Sequence, residues 1–263
     1  MSEISVPARK FLRVFDYLDR IGLDVAAIAA AASLSPERMA ALPPDQPLPA
    51  RHFSRLYKAA VEQMQTLQQP VPWAAGIGSE AFALMCHCMI SGRTLGEALA
   101  LAERFERLVY PLTHHSISLQ DGPDSASLSY NISFNEGASI LVPEQWDRAD
   151  TKETVARASG LMVWHALCGW LVGQPLEATV VTIGAPPINQ AYQDSLAQVF
   201  RCPVQFGAPD TALSFPREDL QRRVVHTVDS LREFLDNAVY QLIAIEQQPS
   251  STSAAIKSLI TID

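Results

Sequence analysis

This chain is poor in the features that usually reveal chemistry. Of its 263 residues only four are cysteine: Cys86, Cys88, Cys168 and Cys202. That is too few for a disulfide scaffold at this length, and it suits a reducing compartment. Basic residues are outnumbered, with 20 Lys+Arg against 28 Asp+Glu and a formal net charge of −8, so a phosphate backbone repels the polypeptide on average. The chain is not expected to bind DNA by itself. No apolar run approaches the roughly 18 residues of a membrane span. Charges at Glu3, Arg9, Lys10, Arg13, Asp16 and Asp19 interrupt any signal-peptide core. A cytoplasmic protein with no membrane partner is expected. There is no Gly-x-Ser-x-Gly elbow, His-Glu-x-x-His helix, phosphate loop or tight pair of metal ligands, so an enzyme is not expected and neither is a cofactor.

What is present is regular helical patterning. The stretch SGRTLGEALALAERFERLVY (residues 91–110) has a clear start, where Thr94 can cap the first turn while Glu97 reaches back to the Thr94 backbone N–H. Leu95, Ala98, Leu99, Ala102, Phe105, Leu108 and Val109 then form one apolar stripe, with Glu103 and Arg107 at i,i+4 on a more polar side, and Tyr110-Pro111 should end the helix. Before it, Phe11, Val14, Phe15, Leu18 and Ile21 mark a first helix that Gly22 can stop. Asp24 caps a second over 25–32, Ser35-Pro36 opens another turn, and a proline-rich connector (42–49) precedes a helix bearing Phe53, Leu56, Tyr57, Ala60, Val61 and Met64.

After residue 113 the period changes from helical to alternating. Residues 114–120 and 125–134, separated by Asp-Gly-Pro-Asp, read as a hairpin with Ile117 and Leu119 on one face and Ala126, Leu128, Tyr130, Ile132 and Phe134 on one face. A long helix that Asp150 and Glu153 can cap runs to Gly173, with Trp164 and His165 near the edge of its apolar stripe. A strand (178–186), a short helix (190–199) and two brief strands (203–206 and 211–215) follow. The mixture reads as α+β, with a helical N-terminal part packed on a small, mostly antiparallel sheet. The final helix, 216–247, repeats Val224, Val228, Leu231, Leu235, Ala238, Leu242 and Ile245 at spacings of four and three. That 3.5-residue seam serves either an intrachain core or pairing with another subunit.

Three motifs point to chemistry and lack its context. Residues 23–42 hold two short helices around a turn, but the second offers only Arg38 to DNA. Gly76-x-Gly78-x-x-Ala81 matches a dinucleotide fingerprint yet follows Pro70 and Pro72 instead of a hydrophobic strand. Cys86-His87-Cys88 are consecutive on a helix, where side chains about 100° apart cannot chelate one ion together.

Two stretches resemble the AraC/XylS-type transcriptional regulators, in the branch with an arabinose-binding-like N-terminal domain. GRTLGEALALAERFERLV (92–109) is similar to the family's Thr-Leu-x-Glu-Ala-Leu pattern. APPINQAYQDSLAQVFRCPVQFGAPDTALSFPREDL (185–220) is similar to its tyrosine-bearing helix followed by Phe-x-Cys-Pro-Val-x-Phe. The resemblance implies an effector-sensing and dimerisation domain over 1–247 (helical 1–70, α+β core 71–215, linker helix 216–247). Residues 248–263 would then form a linker and the start of a DNA-binding domain that this chain does not include. It implies a small-molecule effector of unspecified identity, a homodimer, and contact with DNA only through the absent domain. Candidate ligand-binding residues, between the hairpin and the long helix and around it, are Tyr130, Trp146, Trp164, His165, His87 and Arg93. Candidate dimerisation residues are Val224, Val228, Leu231, Leu235, Ala238 and Leu242. The alternative is a stand-alone small-molecule or haem-type sensor without DNA binding.

Overall fold

In a computed structural model, residues 4–67, 74–133 and 149–246 are described. The first helices form where the apolar spacing and caps place them. β1 (Ser5–Pro7) leads into α1 (Ala8–Arg20), which buries Phe11, Val14, Phe15 and Leu18. α2 (Val25–Ala31) starts where the Asp24 side chain accepts from the Ala27 N–H at 2.9 Å, and α3 (Pro36–Ala40) where Ser35 accepts from Arg38 N–H. The proline-rich connector contributes β2 (Pro47–Pro49), antiparallel to β1, before α4 (Ala50–Met64). α2 and α3 turn Ile28, Ala29 and Met39 into a core shared with α1 and α4, so these two helices are packing elements.

The rest of the chain surrounds a second, larger core. α5 (Glu80–Met89) and α6 (Leu95–Thr113) lead into the hairpin of β3 (His115–Asp121) and β4 (Ser125–Ile132), and α7 (Ala149–Leu171) follows. β5 (Val180–Ile183), α8 (Gln190–Phe200), β6 (Val204–Phe206) and β7 (Ala212–Pro216) complete a five-stranded sheet of order β3-β4-β7-β5-β6. All of its pairs are antiparallel except β5 with β6. The architecture is α+β. β4 alternates as its sequence dictates: Ala126, Leu128, Tyr130 and Ile132 face the core, while Ser127, Ser129 and Asn131 do not.

Three helix details depart from the sequence-based expectation. α6 continues through Pro111 for most of a turn and ends at His114, which adopts a left-handed φ of 56°. One lost backbone donor is tolerated this close to a helix end, because the turn beyond it still closes through His114 N–H to Tyr110 O at 2.8 Å. Glu97 accepts from the Arg93 N–H at 2.8 Å, not from Thr94, while Thr94 accepts from Glu97 N–H. The stripe on α6 also turns. Leu95, Ala98, Leu99 and Ala102 are buried, Phe105 is partly buried, and the next fully buried position is Glu106, whereas Leu108 is 80% exposed.

The expected single helix 216–247 is divided. A 3₁₀ turn (Arg217–Gln221) is followed by extended chain, then α9 (Val228–Asp236) and α10 (Ala238–Glu246). Thr227 and Ser230 restart the helix as a reciprocal cap, which the heptad spacing alone could not reveal. The apolar seam is largely committed to the chain's own core. Leu231, Ala238, Leu242 and Ile245 are buried there, Val224 and Leu235 pack against it, and Val228 is 55% exposed. The other side of α10 places Tyr240 and Ile243 against the N-terminal core. Leu231→Ala should therefore cost about 2–5 kcal/mol in a denaturant titration, and Val228→Ala should stay within about 0.5 kcal/mol.

Candidate functional site

The apolar face of α6 carries a carboxylate where a hydrocarbon should follow. Glu106 lies at i+4 from Ala102, so helical geometry directs it inward, and it is 1% exposed. Opposite it, β3 and β4 contribute His115 and Tyr130, which stand diagonally across the ladder because His115 pairs with Ile132 and Ile117 with Tyr130. Their ring centroids are 6.2 Å apart. His115 Nδ1 approaches Glu106 Oε1 at 3.2 Å, within ion-pair distance but without hydrogen-bond alignment. Neither Glu106 oxygen, nor His115 Nδ1, nor the Tyr130 hydroxyl has a hydrogen-bond partner in full geometry among the described residues.

Tyr130 is completely buried, and α7 is shaped to receive it. A Cβ on Gly160 would fall 2.1 Å from Tyr130 Cε1 and 2.6 Å from its hydroxyl, so only glycine fits this close approach. Burial and the Glu106 charge push the Tyr130 phenol far above its ordinary value, while the Ala75 backbone and Arg157 act in the opposite direction. Arg157 is held by Glu153 at 2.6 Å. Glu153 is thus an ion-pair partner inside α7, and Asp150 falls one residue within the helix that it was expected to cap.

The glycines of the apparent dinucleotide motif serve this neighbourhood. Ala75, Gly76 and Gly78 all have left-handed φ values, and a Cβ at Gly76 would come 3.2 Å from His115 Nε2. Ala75 and Gly76 belong to a 3₁₀ turn, Ala74–Gly76. The motif is a tight loop laid against the histidine.

The other candidates lie apart from Tyr130 to different degrees. Trp164 is fully buried on α7, one turn beyond Gly160 on the same face, and its indole N–H has no acceptor among the described residues. It lies in the body of the helix, not at the edge of a stripe, because this half of α7 is buried nearly all round. His165 is buried too but points elsewhere, with Nε2 2.9 Å from Leu176 O and its ring edge-on to Phe200 at 5.4 Å. His87 is exposed on α5, between buried Cys86 and half-buried Cys88. Arg93 has an 87% exposed side chain, paired with Glu97 at 2.9 Å. It borders a surface groove of about 470 Å³ with Arg223 and Asp121. The groove's charges are largely internal pairs, since Arg217 also grips Asp121 at 2.6 Å, so the groove presents less unanswered chemistry than the Glu106 cluster. Trp146 lies outside the described residues. Glu106 and His115 escaped sequence reasoning; the usable signal was a charge at the next core position of the 95, 99, 102, 106 ladder.

The segment after the 3₁₀ turn connects with both helices of the site. Leu95 N–H donates to Arg222 O and Val224 N–H to Arg93 O, at the start of α6. Val225 N–H donates to Leu171 O, at the end of α7. His226 then stacks on Trp170 at 3.7 Å and 6°, with Nε2 2.6 Å from the Trp170 carbonyl, and Phe234 stacks on Trp170 at 4.0 Å.

A family model for the arabinose-binding domain of AraC transcription regulators, N-terminal, matches residues 22–224. The chain belongs to that family, and its domain is regulatory. Among solved structures it is similar to the transcriptional regulator CdpR from Pseudomonas aeruginosa, with 17% identity and a TM-score of 0.38 over 99% of this chain and 72% of that one. No curated protein matches the chain. Among the described residues no helix is long and apolar enough to cross a membrane.

Two measurements probe the packing around α7. Gly160→Ala would ordinarily favour a helix, but here overpacking against Tyr130 should lower stability by about 1–3 kcal/mol. Burial holds His165 and His226 below the ordinary value of 6.5 despite their bonds to the Leu176 and Trp170 carbonyls. The unfolded chain therefore takes up protons first. The stability these groups contribute is full above 6.5 and is lost as pH falls from there through their lower native values. His165→Gln should flatten that decline in melting temperature measured against pH.

Proposed function

We propose that this chain is the effector-sensing part of an AraC-type transcriptional regulator, with its ligand site at Glu106, His115 and Tyr130. The observation that carries this reading is a set of buried polar groups on α6 and the β3–β4 hairpin, beside α7, that have no fully aligned hydrogen-bond partner among the described residues. Buried polar groups normally find partners, and a small molecule inserted here would supply them. Family membership supports the regulatory role. The protein acts in the cytoplasm, on DNA, through a C-terminal domain beyond this chain.

Sensing requires a ligand that favours one arrangement over another. Residues 222–226 are suited to report it, because they hold the start of α6 and the end of α7 at once and lead directly into α9. A ligand that draws Glu106 and Tyr130 together shifts α6 against α7, and this strap converts the shift into a displacement of α9. The protein is not a catalyst on this reading. Burial pushes the Cys86 thiol up strongly and the Cys168 thiol up to about 12, so neither is a nucleophile at neutral pH.

The regulator works as a homodimer. With most of the α9–α10 seam committed to the chain's own core, the exposed apolar side chains Leu108, Tyr110 and Leu112 near the end of α6 are the better contact. Leu108→Asp combined with Leu112→Asp should convert a dimer to a monomer by light scattering while the circular dichroism spectrum stays that of the wild type; persistence of the dimer would move the interface to α9.

A metabolite panel screened by thermal shift tests the sensor reading itself. A ligand at about 100 times its Kd adds about 2.7 kcal/mol, worth roughly 2–4 °C per kcal/mol at this size. The shift should disappear in Tyr130→Ala. A shift of equal size in that variant would place the ligand elsewhere.

A further inference from the structure

The carboxylate of the Glu106, His115 and Tyr130 cluster has both of its oxygens unanswered among the described residues. Glu106 is 1% exposed, and neither of its oxygens accepts a hydrogen bond among the described residues. A carboxylate withdrawn from water without donors is costly, and removing the cost takes both hydrogen bonds and opposite charge. The neighbours supply neither in full. His115 approaches Oε1 at 3.2 Å, but its N–H is out of line for donation. Arg157, whose charge reaches Tyr130, turns its guanidinium to Glu153, with contacts of 2.6 and 2.9 Å. The Tyr130 hydroxyl stands near the same carboxylate, its oxygen approached by the Ala75 backbone without full hydrogen-bond alignment, and Gly160 leaves it room to stay there.

A sugar-like ligand would satisfy the lone pairs and leave the net charge buried. An anionic ligand would double it. A protonated nitrogen answers both demands at once, since it donates several hydrogen bonds and cancels the charge. Resting on the reading of this cluster as the effector site, we propose that the site takes a small organic cation. Its ammonium or guanidinium group donates to Glu106, with the Tyr130 hydroxyl oxygen as second acceptor.

The test begins with the ligand-free protein. Glu106→Gln keeps the shape and removes the charge, so its melting temperature should equal or exceed that of the wild type; a lower value would mean that the carboxylate is already satisfied and would overturn the proposal. Glu106→Met repeats the measurement if the glutamine variant is poorly expressed, and failure of both to fold overturns it equally.

The full 263-residue chain is then titrated calorimetrically with putrescine, agmatine and ethanolamine as cationic probes, and with 1,4-butanediol, succinate and arabinose as neutral and anionic controls. At least one cationic probe should bind, and Glu106→Gln should weaken it roughly 10- to 100-fold, with Tyr130→Phe weakening it less. Binding of succinate or arabinose that falls in Tyr130→Phe but survives Glu106→Gln would keep the effector site and sink the cationic ligand. Cationic probes that bind wild type and both variants equally lie elsewhere, which sinks the assignment. No response to any cationic probe at millimolar concentration overturns the class.

Discussion

The distance between the hairpin and α7 is set by one missing methyl group. Because Gly160 has no Cβ, the Tyr130 ring lies directly on the helix backbone, and a tyrosine in the middle of β4 is buried against α7 in the neighbourhood of His115 and Glu106. Everything around that contact takes its place from it. β4 pairs with β3 and β7, so seating Tyr130 seats His115 on one side and Leu213 on the other. α6 runs into β3 through the left-handed His114, which places Glu106 over the same spot. A glycine within a long helix ordinarily costs about 0.5–1 kcal/mol; here the cost is offset by the burial of a whole aromatic side chain.

Most of the ion pairs lie at the surface, away from Glu106. Surface pairs such as Arg93 with Glu97 and Arg217 with Asp121 lie at the ends of elements and fix turns. Exposed pairs of this kind add little stability individually. The buried carboxylate has the opposite character, withdrawn from water with neither oxygen accepting an aligned hydrogen bond among the described residues. Functional sites commonly keep such local costs.

Much of this was legible in the sequence where local chemistry decides the outcome. Caps at Asp24, Ser35 and Thr94 start their helices as read, the period-2 pattern of 125–132 gives β4 and its inward face, and the family motifs in 92–109 and 185–220 fall within the matched region. The failures share one cause, which is tertiary packing overriding a one-dimensional pattern. The stripe on α6 was read through Leu108 because leucine is apolar, yet the core continues at Glu106 and leaves Leu108 in solvent. The seam of 216–247 was regular enough to suggest one helix, but His226 stacked on Trp170 requires an extended segment there. Tyr130 was legible as an inward-facing residue of an alternating strand. Its partners were not, because Gly160 and Glu106 acquire meaning only when α7 and α6 are brought to it.

α4 and α10 lie side by side, and each gives one face to each core: Tyr57 and Val61 on α4 face the main core while Leu56 and Met64 face the other, and Leu242 on α10 opposes Tyr240 and Ile243. The two helices are a party wall, a single partition that both compartments need in order to be closed. Such a wall cannot lean toward one room without opening a gap in the other. Any shift of α10 against α4 would therefore have to be accommodated by both cores at once, which ties the small compartment formed by residues 4–67 to the larger one.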